Sequence, residues 1–270
     1  MAGSLMTSHS DSRKRRAEIA HRVASPKQDF FEKCTVMGCG RPTRRAAGTG
    51  LNGNFCTYHG QRKARFGSPV APAIRATELS PYVKTALAWI RQHRADPILS
   101  LVLLSLRGLL DGAGPVDPVM NLKRRSAKYR AKVAFARLRE AGVKPERLLA
   151  IHLGVAALVE DDADSHRICE FRIVQTAKAM HRLASGTHRR WDFPLPNGTI
   201  APAEMHVYPK SSGRVLRVMG EAAEEICDLI TSRERDTIRR LKREKHGPHP
   251  SQVPGWQPAW RRKLAAARGL

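Results

Sequence analysis

The chain has 270 residues, 41% of them hydrophobic, and its 48 Lys and Arg against 24 Asp and Glu give a formal net charge of +24. The hydrophobic share excludes a wholly disordered chain, and the length allows one large domain or two smaller ones. So large a cationic excess favours a polyphosphate partner, because each contacted phosphate releases condensed counterions. Nucleic acid is therefore the expected partner.

Residues 1–28 are rich in Ser, Arg and Lys without a sustained period. They read as a basic disordered tail with at most one helical turn near Ala17 to Val23. The basic stretch Arg13 to Arg16 is followed by no apolar run, so no signal peptide is expected.

Residues 29–70 form a candidate metal module. Cys34-x4-Cys39 is followed after sixteen residues by Cys56-x2-His59. Zinc takes four sulfur or nitrogen donors in a tetrahedron, and two short-spaced pairs supply them. Gly48, Gly50 and Gly53 in the intervening loop permit tight turns. A segment with so few apolar side chains cannot offset its ordering entropy unaided, whereas structural zinc contributes roughly 10–16 kcal/mol in small fingers. With three thiolates and a full set of four donors, a closed structural Zn²⁺ is expected, not a catalytic one. Cys169 and Cys227 fall inside helical patterns, the cysteine usage of a reducing compartment.

Gly38-Cys39-Gly40-Arg41-Pro42, Phe55-Cys56-Thr57-Tyr58-His59, then Arg62, Gly67 and Pro69 resemble a small zinc module that recurs in bacteriophage and mobile-element proteins. The resemblance covers residues 34–69. It implies a DNA-handling context, since that module sometimes accompanies HNH-type nuclease domains, and a cytoplasmic location, bacterial or in the host of a phage. The chain departs from the pattern in its longer loop and in Gly60, where an aromatic usually follows the histidine. Arg62, Lys63 and Arg65 follow the last ligand on a short helix and are candidate phosphate contacts.

Pro69 and Pro72 with small residues between them read as a linker. Aromatics are only 6% of the chain, so a core of Leu, Ala, Val and Ile and a mainly α body over residues 75–246 are expected. Ser80-Pro81 predicts a helix start, running to about His93. Asp96-Pro97 predicts a second helix ending at Gly112 to Pro115. Its apolar run, Ile98 to Leu110, is short and carries Arg107, so it is a core helix and not the ~20-residue span of a membrane. No membrane partner is expected. A third helix is predicted from Asp117 to Ala141, a fourth from Lys144-Pro145 to Glu160-Asp161-Asp162, and a fifth from Ala163 to Ala184. Pro194, Pro196, Asn197-Gly198 and Pro202 read as a loop. One β-hairpin is predicted near 204–218, pairing Glu204 to Tyr208 with Arg214 to Val218, and one long helix from Glu221 to Lys245. Residues 247–270 read as a basic tail containing Pro and Trp.

Between Lys123 and Arg139 stand eight basic residues and no acid. On a helical wheel Leu122, Tyr129, Val133 and Ala136 make a thin apolar seam. Lys123, Arg130 and Arg137 flank it on one side, and Arg124, Arg125, Lys128, Lys132 and Arg139 on the other. That pattern suits a helix laid against a duplex, and the second flank is the candidate nucleic-acid surface, with DNA the more expected polymer. The acidic run Glu160, Asp161, Asp162, Asp164 and His166 is the best candidate for a catalytic metal, though a helix end explains most of it. His152 reads as a core residue. No HNH signature, P-loop or nucleophile elbow is present, so no catalytic residue is assigned. The leading expectation is an accessory or regulatory nucleic-acid-binding protein. A metal-dependent nuclease or recombination enzyme, and a protein-interaction module, stay open.

Overall fold

The computed structural model describes residues 33–43, 54–122, 124–162, 169–184, 187–196, 198–207 and 212–257. The N-terminal tail, the glycines at 48, 50 and 53, Lys123, Asp164, His166 and the residues after 257 lie outside these. The chain divides into two compact units, Met1–Ala64 and Arg65–Leu270. A helix, α1 (Thr57–Phe66), runs across that boundary.

The second unit is mainly α, as its composition predicts, with one antiparallel hairpin. Its helices are α2 (Ala76–Gln92), α3 (Pro97–Asp111), α4 (Ala127–Glu140), α5 (Pro145–Asp161), α6 (Cys169–His181), α7 (Gly213–Cys227) and α8 (Ser232–His246). The hairpin pairs β1 (Thr187–Pro194) with β2 (Ile200–Val207). The centre is α5, fourteen of whose seventeen residues are buried; α2, α3, α6, α7 and α8 all pack on it. Such a helix is apolar all round because neighbours cover every face. Leu148, Leu149, Leu153 and Val155 are fully enclosed, each worth roughly 1.5–3 kcal/mol relative to exposure.

Two glycines let helices approach closely. A Cβ on Gly154 of α5 would lie 2.9 Å from Val83 Cγ2 of α2, and one on Gly220 of α7 would lie 2.4 Å from the Ile173 carbonyl oxygen of α6. Gly220→Ala is expected to part these helices and destabilise the unit by roughly 1–3 kcal/mol, despite alanine's ~1 kcal/mol better helix propensity. A lower urea midpoint at unchanged m-value would show it; an unchanged midpoint would refute the close packing.

Several boundaries differ from those read in the sequence. The second-unit start is not a linker: Gly67, Ser68 and Pro69 are buried, and Ser68 Oγ accepts from the backbone N–H of Val70 and of Ala71. Gln175 of α6 clasps the segment, donating to the Phe66 carbonyl at 2.9 Å and accepting from Ile74 N–H at 3.1 Å. Helix α2 starts at Ala76, where the Glu78 carboxylate accepts from Arg75 N–H, so Pro81 stands inside it. The start at Asp96 is as predicted: its carboxylate accepts from Ile98 and Leu99 N–H at 2.8 and 3.0 Å.

The hairpin lies upstream of its predicted place. Leu195 and Thr199 close the turn, Leu195 N–H donating to Thr199 O and Gly198 N–H to Leu195 O. Gly198 takes φ 79°, the left-handed position a three-residue hairpin loop requires. Prolines are tolerated because, among the described residues, both strands are edges. Residues 214–218 are helical instead, because Ser212 Oγ accepts from Val215 N–H and starts α7. The predicted long C-terminal helix is two, broken between Cys227 and Ser232, where Ile230 N–H turns back to Cys227 O. Thr231 Oγ1 donates to the Glu234 carboxylate at the start of α8, the spacing of a helix start. Residues 247–252 belong to the body, Gly247 O accepting from Lys242 Nζ and Gln252 Nε2 donating to Asp161 O.

Candidate metal centre and cationic surface

The metal-binding pattern rests on two short folds. Cys34 N–H donates to Arg41 O and Cys39 N–H to Val36 O, with Gly38 and Gly40 both at positive φ around Cys39. Thr35 ties this turn to the second pair, its N–H and Oγ1 both meeting Asn54 O. Cys56 then stands at the start of α1, its carbonyl accepting from Gly60 N–H, and His59 follows within the first turn.

The result brings Cys34, Cys39, Cys56 and His59 together, their donor atoms all within 4.8 Å of one another and no disulfide among them. Cys34 Sγ lies 3.3 Å and Cys56 Sγ 3.5 Å from His59 Nδ1, and Cys39 Sγ lies 3.7 Å from Cys56 Sγ. A tetrahedron with metal–sulfur bonds of about 2.3 Å and metal–nitrogen bonds of about 2.0–2.1 Å has edges of about 3.5–3.8 Å. The four side chains can therefore hold a metal ion. Burial lowers the His59 pKa, with Arg41 and Arg62 adding to the effect, so the ring is neutral and free to ligate. The His59 backbone N–H holds the Cys56 thiol below its ordinary range, as a thiolate ligand needs. Among the described residues of this unit, Cys34 and Cys56 are the only buried apolar side chains.

The candidate phosphate-contacting residues fare unequally. Arg62 and Arg41 both lie against the Tyr58 ring, at 5.6 and 5.7 Å. Lys63 stacks on Phe55 at 5.4 Å, and Arg65 is exposed beside Phe66. Arg124, Arg125, Lys128 and Lys132 are all exposed, with Arg125 over the Tyr129 ring at 5.2 Å. The helix they accompany is not held by a thin seam. Ala131, Val133, Ala134, Phe135, Ala136 and Leu138 of α4 are all buried, because α3 and α7 cover it. The helix starts at Ala127, not Asp117, since Ser126 Oγ accepts from Tyr129 N–H.

Two arginines of the predicted flanks have internal roles. Arg137 is buried and donates to Asp117 O at 2.8 Å. Arg139 donates to Leu110 O, Asp111 O and Gly114 O, satisfying carbonyls at the C-terminal end of α3. Arg139 is thus half-buried and engaged by backbone carbonyls, unlike the four exposed cations.

Of the described part of the acidic run, Glu160 and Asp161 are likewise occupied. Arg235 meets Glu160 at 3.1 Å and Arg239 meets Asp161 at 2.8 Å. Asp161 is buried and also accepts from Tyr82 Oη at 3.0 Å. These carboxylates join α5 to α8 and are no open metal site. His152 is buried, as expected. No described helix is long and apolar enough to cross a membrane. No family model, curated protein or solved structure matches the chain.

Proposed function

We propose that the chain is a zinc-containing nucleic-acid-binding protein, accessory or regulatory in role, that grips the phosphate backbone, most readily of DNA. The observation that carries this reading is the unbalanced cation cluster at the start of α4. Arg124, Arg125 and Lys128 crowd the end of a helix whose first turn holds no acid. Cations there oppose the helix dipole and cost stability. A bound phosphate reverses the sign of that cost, since it meets both the cations and the N-terminal amides.

Zn²⁺ is the ion that best suits three thiolates and an imidazole in a tetrahedron. Its role there is to close the fold of the first unit, and the likeness of this segment to the phage and mobile-element module supports a DNA-handling setting.

The test is binding of duplex DNA across a salt series. The affinity should fall steeply with salt, and R124E/K128E/K132E should lose measurable binding at physiological salt. Changing the three singly to Ala should each reduce the log–log salt slope by about 0.9. Binding that is insensitive to salt, or undiminished in the triple variant, overturns the assignment.

A further inference from the structure

Among the described residues, five buried side-chain nitrogen or oxygen atoms have no hydrogen-bond partner, and three of them belong to one cluster inside the helical unit: His152 Nδ1, Glu224 Oε2 and Arg172 Nε. Buried polar atoms are nearly always satisfied, and two of these three, His152 Nδ1 and Glu224 Oε2, have the chemistry of metal donors.

His152 projects from the middle of α5 and Glu224 from α7. Their relative exposures are 1% and 7%. His152 Nδ1 faces Glu224 Oε2 at 3.6 Å, too long for a hydrogen bond. Asp228 follows Glu224 by one helical turn, so the two carboxylates share a face. Donor atoms of His152, Glu224 and Asp228 all lie within 4.8 Å of one another. Asp228 is 58% exposed and so connects the buried pair to solvent.

We propose that His152, Glu224 and Asp228 form a second divalent-cation site, suited to Zn²⁺, with its fourth position left for water or an exogenous oxygen ligand.

The 3.6 Å separation is close to the edge of about 3.3–3.4 Å expected for two donors at 2.0–2.1 Å from a tetrahedral ion. An imidazole with two carboxylates is a donor set that zinc accepts. Arg172 binds the other oxygen, Glu224 Oε1, and stands 3.8 Å from Asp228 Oδ1. It thereby orients the ligating carboxylate from outside the coordination sphere, as outer partners of metal sites do. Three protein donors and one open position differ in kind from the closed four-donor Cys₃His set. Sequence gave no hint of it, since the ligands lie on helices 72 residues apart in the chain.

The experiment is metal stoichiometry on the full chain, stripped and reconstituted with Zn²⁺, then read by elemental analysis after desalting. Wild type should hold two equivalents, C56S one, and the C56S/H152A double variant less than 0.2. D228A, altered at an exposed position, should keep its helical circular dichroism and lose the second equivalent. Cobalt in C56S should give weak d–d bands without thiolate charge transfer. A C56S content below 0.2 equivalents, or an equivalent in C56S that survives both H152A and D228A, overturns the proposal. So does a second equivalent in C56S that shows thiolate charge transfer.

Discussion

Cys56→Ser is expected to cost the first unit its metal and, with it, its fold. If the roughly 10–16 kcal/mol of structural zinc binding is shared evenly over four ligands, one ligand carries about 2.5–4 kcal/mol, or ~10²–10³ in affinity. The described part of the unit has little to set against that loss. Its buried apolar side chains among the described residues are Cys34 and Cys56 themselves, so losing the ion removes the core. Limited proteolysis should cut within residues 33–64 while the body from residue 65 resists, and zinc content should fall by one equivalent. The body should melt where wild type does, because none of its core residues is a Cys₃His ligand. An unchanged zinc content in C56S would rule out the ligand set.

The second large effect lies at Asp161, whose side chain is 1% exposed. It accepts from Tyr82 Oη and Arg239 Nε, and Arg243 lies 3.9 Å away. Burial, with Asp161 beside it, keeps the Tyr82 hydroxyl protonated and a donor. Asp161→Ala would strand that hydroxyl and leave the half-buried Arg239 without its principal carboxylate. Breaking a buried pair in this way costs roughly 3–5 kcal/mol, which corresponds to a melting temperature lower by roughly 6–20 °C for a unit of this size. Thermal unfolding followed by circular dichroism checks it. Asp161→Asn, which keeps one acceptor, should fall between. A D161A protein melting with wild type would mean that α5 and α8 are joined chiefly by their apolar contacts.

These outcomes bear on what was legible in the sequence. The clustering of Cys34, Cys39, Cys56 and His59 was, because short spacings constrain where donors can go and little else in that segment needs cysteine. The starts of α3 and α5 were, because Asp96-Pro97 and Lys144-Pro145 act within a turn of themselves. The acidic run was visible but its meaning was not, since Arg235 and Arg239 reach it from about 75 residues away. The same limit hid the burial of α4. A wheel drawn on one helix shows its own stripe, whereas the number of neighbours that cover it is a property of the packed bundle. Arg137 and Arg139 looked like surface cations until the carbonyls they serve, on the preceding segment, were in place. The place of the hairpin is not legible because Pro194, Pro196 and Pro202 read as breakers, and only the ladder shows that each described strand has a free edge.

Those prolines have a consequence for solubility. Residues 195 and 199 form a hydrogen-bonded pair next to the turn. By alternation, Pro194 with Ile200 and Asp192 with Pro202 are non-hydrogen-bonded pairs, so both proline nitrogens point away from the ladder. Each edge therefore lacks an amide where an incoming strand would seek one. The ribbon carries Trp191, Phe193 and Ile200 in exposed positions, a surface that would otherwise invite chain-to-chain sheet extension. The residues that obscure the strands in the sequence thus remove amides from both edges of an apolar ribbon, which disfavours strand-to-strand association.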